Sequence, residues 1–326
     1  MLNNILSSKR VRTFALTTIC VLAGYFVMIY LMQNEIINDY YQQIIISMCI
    51  NIILAVSLNL IIGFTGQLTL GHLGFMAVGA YAAAIATTKY NVPFILALLL
   101  GAVLAFIVGI LIGYPILRLK GDYLAICTLG FGEIVRVIIQ NSDYLGGARG
   151  LYAIEQKTDF NWVFFGAVIT VIIVRNILTS SQGRAMISVR EDEIASESMG
   201  INTTKYKILA FAIGALFAGF AGGLYAHFYY TIQPTSFNFI RSLDVLIFVV
   251  FGGMGSLSGS VIAAAALTVL PEALRSMQDY RMVIYPIMLI VLMIFRPQGL
   301  FGTKELSNIF KGSKSKQKAG DKDVIA

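Results

Sequence analysis

"FILALLLGAVLAFIVGILIGYPIL", residues 94–117, runs for 24 consecutive positions without a charged side chain. A helix needs about 20 apolar residues to cross the hydrocarbon core of a bilayer, so this run places the chain among membrane proteins. The whole composition agrees: of 326 residues, 57% are hydrophobic and 13% charged, where a soluble domain carries about a quarter charged. Reading outward gives further apolar segments at 13–32, 44–62, 67–88, 122–140, 161–180, 207–230, 240–251, 256–271 and 282–295. The expected fold class is all-α, a polytopic integral membrane protein of about ten transmembrane or partly spanning helices. Residues 1–302 make one transmembrane domain, and 303–326 a basic tail expected to be disordered. The first segment follows Lys9, Arg10 and Arg12, is too long for a signal-peptide core and lacks a small-residue cleavage site, so it reads as a retained span. Cys20, Cys49 and Cys127 are widely spaced inside apolar runs, where thiols act as small hydrophobes rather than ligands.

Ten crossings put both termini on one side. Of the 24 Lys and Arg, Arg136, Arg175 and Arg241 fall inside spans; 16 of the rest lie on the side of the termini and 5 (Lys89, Arg149, Lys157, Arg275, Arg281) opposite. The positive-inside rule then makes both termini cytoplasmic. The net charge of +7 follows from this topology, and the tail "KGSKSKQKAGDK" lacks the interleaved aromatics of a nucleic-acid binder, so no nucleic acid is expected as a partner. Its lysines suit anionic lipid or plain solvation.

One cytoplasmic loop stands out. "SVREDEIASESMG", residues 188–200, holds four of the 17 acidic residues. Ser188 and Glu191 have the spacing of a capping box, Glu191, Asp192 and Glu193 suit the positive end of a helix dipole, and Gly200 offers a left-handed stop. The pattern predicts a single helix of about three turns. Ile187, Ile194 and Ile201 would form a narrow apolar stripe beside an acidic face carrying Glu193 and Glu197. Such a helix is either a solvated spacer between spans or a docking element for a cytosolic partner.

Catalytic signatures are missing. There is no phosphate-binding G-x-x-x-x-G-K-[ST], no H-E-x-x-H and no paired-Cys metal spacing, and His72 and His227 are the only imidazoles. The chain is therefore expected not to be an enzyme, to bind no metal and to hold no cofactor. Uphill transport would draw on an ion gradient through buried charges or on a separate nucleotide hydrolase acting through a loop.

"GRAMISVREDEIASESMGIN" (183–202) resembles the cytoplasmic loop of the branched-chain amino acid permeases of ATP-binding cassette importers, the LivM type. "NLIIGFTGQLTLGH" (59–72), "GDYLAICTLGFGEIVR" (121–136), "GGARGL" (146–151), "FGGMGSLSG" (251–259) and "IFRPQGLFG" (294–302) are similar to further family blocks, in the same order. Ser258 and Ser260 stand where the family favours a bulkier residue and often Pro, and Leu145 where Thr is common. The resemblance implies a permease subunit in the cytoplasmic (inner) membrane of a prokaryote. It further implies a second, LivH-type permease, two cassette ATPase subunits that use ATP and Mg, and an extracytoplasmic solute-binding protein. The implied cargo is leucine, isoleucine or valine, with urea or short amides carried by similar permeases; an ion-coupled secondary carrier is the alternative of a different class. In the family the loop contacts the ATPase, which makes Arg190, Glu191, Glu193, Glu197 and Gly200 the candidate coupling residues.

Within the membrane, "GFTGQLT" (63–69) and "GGMGSLS" (252–258) share Gly-x-x-Gly-[Gln/Ser]-Leu-[Thr/Ser], and each interrupts an apolar pattern. Broken helices at matching places in two halves point to a transport pathway. Candidate pathway residues are Asn59, Gly63, Gly66, Gln67, Thr69, Gly252, Gly253 and Gly255, the alternative for each glycine being tight helix packing. Glu133 and Arg136 are spaced i, i+3, as are Arg241 and Asp244, and each pair is expected to neutralise itself. His72 is expected to satisfy a backbone carbonyl, and His227, in "HFYY", to join an aromatic belt. Gly214, Ala218 and Gly222 form one small-residue row and Ala215, Gly219 and Gly223 another, suited to close packing inside the subunit or against a second permease.

The topology is testable by single cysteines: in intact cells a probe at Ser142 should react with an impermeant thiol reagent, and one at Ser196 only after the membrane is opened. Labelling of Ser196 from outside would overturn the orientation.

Overall fold

The computed structural model describes residues 22–32, 34, 38–119 and 121–275, with isolated positions as far as 302. The predicted span 282–295 and the basic tail lie largely or wholly outside the described residues, as does the first half of the predicted span 13–32. Two compact units divide after Ile46. The first holds helix α1, Leu22–Met32, with Phe26, Val27 and Tyr30 exposed. The second holds nearly all else, and α2, Asp39–Thr65, enters it at Ser47.

Beyond α2 the order is α3 (His72–Thr88), α4 (Phe94–Ile116), α5 (Asp122–Asn141), α6 (Phe160–Thr179), α7 (Ser181–Glu191), α8 (Glu193–Ser198), α9 (Thr203–Phe228), α10 (Phe239–Gly252) and α11 (Leu257–Ala273). Among the described residues there is no β-strand, only an isolated antiparallel bridge between Leu151 and Ile232. Among the described residues four helices, α2, α4, α6 and α9, are long and apolar enough to cross a bilayer. The 23 residues of α4 make about 34 Å of helix, against a hydrocarbon thickness of about 30 Å. By the same measure α10 and α11, with 14 and 17 residues, are about 21 and 26 Å long and form a short hairpin.

Side-chain size is sorted in α4 as lipid requires. Leu96, Leu99, Leu100, Val103, Leu104, Ile107 and Leu111 face outward, while Ala97, Gly101, Ala102, Ala105 and Gly109 are buried. Without a hydrophobic drive between helices in lipid, association depends on close van der Waals contact, which small residues permit. Their partner is α9, whose two small-residue rows pack within the subunit. A Cβ on Gly219 would lie 2.4 Å from Ala105 Cβ, one on Gly222 2.0 Å from the Met76 carbonyl, and one on Gly214 2.5 Å from Ile61 Cδ1. Helices α2, α3 and α4 therefore close around α9, so internal packing explains the rows.

Several local expectations are corrected. Residues 66–71 are not helical, so α3 starts at His72 rather than near 67. The acidic loop holds two helices instead of one, because Asp192 is extended (φ −155°, ψ 111°) and its side chain accepts from Ala195 N–H at 2.9 Å, capping α8. Ser188 is no cap; it sits in α7, whose actual cap is Ser180, accepting from Gly183 N–H at 3.2 Å. His227 is not in an aromatic belt. It is fully buried, bonded to Thr87 Oγ1 at 2.9 Å and the Gly223 carbonyl at 2.8 Å, with its ring edge-on to Phe94. His72 meets the Ser57 hydroxyl at 2.9 Å rather than a backbone carbonyl.

These contacts separate glycines that packing requires from those it does not. Gly222→Ala should lower the thermal midpoint in detergent, with a loss of about 2 kcal/mol from forced separation of α3 and α9. Gly130→Ala, with nothing within 4 Å of the added methyl, should leave the midpoint unchanged or raise it.

Candidate functional site: a joint between two glycine breaks

The two glycine clusters meet. At one stands Asn59, one turn before Gly63 on α2 and fully buried. Its Oδ1 accepts from Gly255 N–H at 3.0 Å, and its Nδ2 donates to the Ser256 carbonyl at 2.9 Å and to Ser260 Oγ at 2.8 Å. One amide thereby joins α2 to the turn between α10 and α11 and to the first turn of α11, where the Ser256 carbonyl also accepts from Ser260 N–H at 3.1 Å; an apolar side chain in place of Asn59 would take from the Gly255 N–H its acceptor. Gly63 permits the approach, since a Cβ there would lie 2.5 Å from the Gly255 nitrogen. The second break needs its own glycines: Gly253 and Gly255 have φ of +107° and +91°, a region L side chains resist. Gly252 lies against Gly259, and Gly253 against the backbone of Gly302.

The first break is held from several sides. Gly66 turns at φ +72°. Leu70 N–H donates to Thr128 Oγ1 of α5 at 3.0 Å, and Ser242 of α10 donates its hydroxyl to the Leu70 carbonyl at 2.5 Å. Gln67 donates Nε2 to the Lys207 carbonyl of α9 at 3.2 Å, whereas Gln67 Oε1, Thr69 Oγ1 and His72 Nδ1 are buried with no partner among the described residues. The glycine candidates thus pack against backbone and side chains, while Gln67 and Thr69, with neighbouring His72, keep polar atoms that have no partner among the described residues.

The acidic loop returns to this joint. Arg190, in the last turn of α7, donates Nη1 to the Gly63 carbonyl. Its aliphatic stem lies along Gly66, where a Cβ would be 3.2 Å from Arg190 Cγ, and its head beside Gly255, where a Cβ would be 2.6 Å from Nη1. A cation here also faces the negative end of the α2 dipole, a helix with no basic residue in its own last turn. Two of the acids are likewise engaged within the chain: Glu193 pairs with Lys207 of α9 at 2.6 Å, and Glu197 Oε1 accepts from Thr203 at 2.6 Å. Met186 and Val189 anchor the inner side of α7. Gly200 has φ +83° and ends the α8 turn, its N–H bonded to the Glu197 carbonyl at 2.9 Å. Outward stand Glu191, Ile194 (75% exposed) and Met199 (83% exposed). Ser196, by contrast, is buried, so Met199 is the more accessible place for a labelling probe.

The charge pairs divide. Arg136 Nε and Nη2 both reach Glu133 Oε2 at 2.7 Å, as the spacing predicts. Arg241 makes no salt bridge to Asp244 among the described residues. It donates instead to the Tyr225 hydroxyl at 3.1 Å, over whose ring it lies, because α9 offers a closer acceptor than the next turn of α10. At the opposite end of the bundle from α7, Lys89 donates to the Tyr144 carbonyl at 2.6 Å, and a hydrogen bond from Lys157 holds the Glu155 carboxyl below the usual carboxylate range.

Stacked apolar helices with lipid-sized faces, interrupted by two interlocked glycine turns, define a multi-pass membrane protein. Residues 40–293 match the family model described as "Branched-chain amino acid transport system / permease component", and the chain belongs to that family. It is 39% identical to the high-affinity branched-chain amino acid transport system permease protein LivM of Salmonella typhimurium and 38% identical to that of Escherichia coli strain K12, over 69% of this chain and 61% of each relative. It is also 34% identical to the LivH permease protein of Salmonella typhimurium, over 40% of this chain and 42% of that one. The chain spans about three fifths of the length of the LivM relatives it matches. No solved structure matches it.

Sequence reasoning grouped Asn59 with the pathway and Arg190 with the partner-facing surface, and missed that both are clasps. The signal for Asn59 was an amide four residues before a glycine in an otherwise apolar helix, which puts the two on one face. Asn59→Leu keeps the volume and removes three hydrogen bonds, so it should cost about 3 kcal/mol in unfolding experiments in detergent. A midpoint equal to that of the parent would mean the α10–α11 turn is held by something else.

Proposed function

We propose that this chain is a transmembrane permease subunit of an ATP-binding cassette importer for leucine, isoleucine and valine. The observation that carries the reading is the placement of the family's loop: α7 and α8 expose Ile194 and Met199 while Arg190, in the same loop, reaches the joint between the glycine breaks. A surface that projects apolar side chains and is also tied to the transmembrane helices suits a part that receives force from a partner. The energy would come from two cassette ATPases using ATP and Mg; the chain itself binds neither and has no catalytic role. A LivH-type permease would complete the pathway, and an extracytoplasmic binding protein would deliver and select the amino acid. Both termini and the α7–α8 loop would then be cytoplasmic, in the cytoplasmic membrane of a prokaryote.

Within this reading the docking surface is chiefly apolar. Glu193 and Glu197 shape the loop through Lys207 and Thr203, leaving Glu191 as the acid most available to a basic cleft. Gln67 and Thr69, with buried polar atoms unmatched in the fold, are the pathway candidates with most to offer a solute or a transient water. Glu133 with Arg136 is a structural or gating pair.

The reading is tested by reconstituting the chain with its permease partner and ATPases in liposomes and following leucine uptake. Uptake should require ATP and the binding protein. Ile194→Asp with Met199→Asp should insert normally and lose most of the co-purifying ATPase, since buried apolar anchors dominate such interfaces at about 2 kcal/mol or more each. Leucine uptake by the chain alone, driven by an ion gradient, would overturn the importer reading in favour of a secondary carrier.

A further inference from the structure

We propose that Arg190 is the residue through which movement of the α7–α8 loop reaches both glycine breaks at once. The inference rests on the importer reading and assigns to one side chain the transmission step inside this subunit. Arg190 does not face outward with Glu191; it turns in, and three glycines surround it. Its Nη1 donates to the carbonyl of Gly63, one of the last four of α2, which have no intrahelical donor. Its stem lies along Gly66 at the first break, and its head abuts Gly255 at the second. Each of those two glycines has a positive φ, so each marks a place where the backbone turns instead of continuing as a rigid helix. Asn59 ties the same turn of α10–α11 to α2. A displacement of α7 therefore pulls on the end of α2 and presses on the α10–α11 turn through a single rigid guanidinium.

The geometry separates this role from two plainer ones. A docking residue would be exposed toward the partner, as Ile194 and Met199 are, whereas Arg190 is half buried and its donor is used inside the chain. A residue serving only to hold the loop would duplicate what Glu193–Lys207 and Glu197–Thr203 already do on α9. Arg190 bonds the Gly63 carbonyl before the first break and lies beside Gly255 at the second. Lysine is a poor substitute, because a point charge on a flexible stem can reach the Gly63 carbonyl but lacks a planar fork to fill the space beside Gly255.

The test uses the complete importer in proteoliposomes, with Cys20, Cys49 and Cys127 replaced by Ala and a hydrolysis-deficient ATPase to hold the ATP state. One reporter is Met254→Cys, in the α10–α11 turn and 45% exposed; the other is Ser198→Cys, exposed at the end of α8 on the loop. In the parent, ATP should change the thiol-modification rate at both. With Arg190→Gln the ATPase should still co-purify and Ser198→Cys should still respond, while Met254→Cys no longer responds. Amino acid uptake by the same variant, measured with the active ATPase, should fall by at least about fivefold, the lower end of ordinary site-to-site coupling. Loss of the ATPase from the Arg190→Gln complex would make Arg190 a docking residue and overturn the proposal. So would a parental response at Met254→Cys in the variant, or indifference of Met254→Cys to ATP in the parent. If Arg190→Gln fails to assemble, Arg190→Lys decides: a weakened Met254→Cys response supports the proposal and an unchanged one overturns it. A parental complex without ATP-dependent uptake would reject the importer reading itself, before any variant is compared.

Discussion

Backbone polar groups in hydrocarbon have no water to bond, and the architecture of this chain follows from where it breaks that rule and how it repairs the damage. At 66–71 and 253–256 the helical ladder stops. Backbone groups freed at these turns are met by side chains from other helices: Gly255 N–H by Asn59, Leu70 N–H by Thr128, the Leu70 carbonyl by Ser242 and the Gly63 carbonyl by Arg190. Those partners come from α2, α5, α10 and α7. Satisfying the breaks thus ties together helices that small-residue packing alone would leave free to slide.

The packing of α9 against α3 and α4 is the counterpart of that joint. Gly79, Gly101 and Gly219 bring three backbones within contact, with the Gly79 carbonyl 2.6 Å from a Cβ built on Gly101. Interfaces so close are stiff, because any added volume must move a helix rather than a side chain. The glycine turns differ in kind. They are held by positive φ values and by hydrogen bonds from single side chains rather than by broad contact. A stiff core thus stands beside a joint held by side-chain hydrogen bonds.

Charge is used sparingly and for geometry. Glu193–Lys207 and Glu197–Thr203 seat the loop on α9, and Glu133–Arg136 neutralises itself along α5. The acids that drew attention to residues 188–200 therefore serve the loop's shape as much as its surface. What the loop presents most prominently is Ile194 and Met199, on the two-helix form that Asp192 creates by interrupting α7.

Much of this was legible in the residues themselves. Charge-free runs of about 20 residues specify membrane helices because the bilayer thickness and the rise per residue leave little choice. Gly-x-x-Gly at 63–66 and Gly-Gly-x-Gly at 252–255 marked the breaks because glycine tolerates the positive φ that such turns need, although Gly222 and Gly223 sit inside α9 without interrupting it. Gly200 was readable as a left-handed stop for the same local reason. Partnership was not legible. Asn59 and Gly255 are 196 residues apart, Arg190 and Gly63 127, and no periodicity encodes which distant group will fill an unsatisfied donor or acceptor. The i, i+3 spacing of Arg241 and Asp244 offered a local partner, yet Tyr225 from another helix took the arginine. Local sequence determined the long apolar helices and the two glycine breaks; tertiary structure decided who clasps whom, because hydrogen bonds in a dry interior go to whichever group packing brings within about 3 Å.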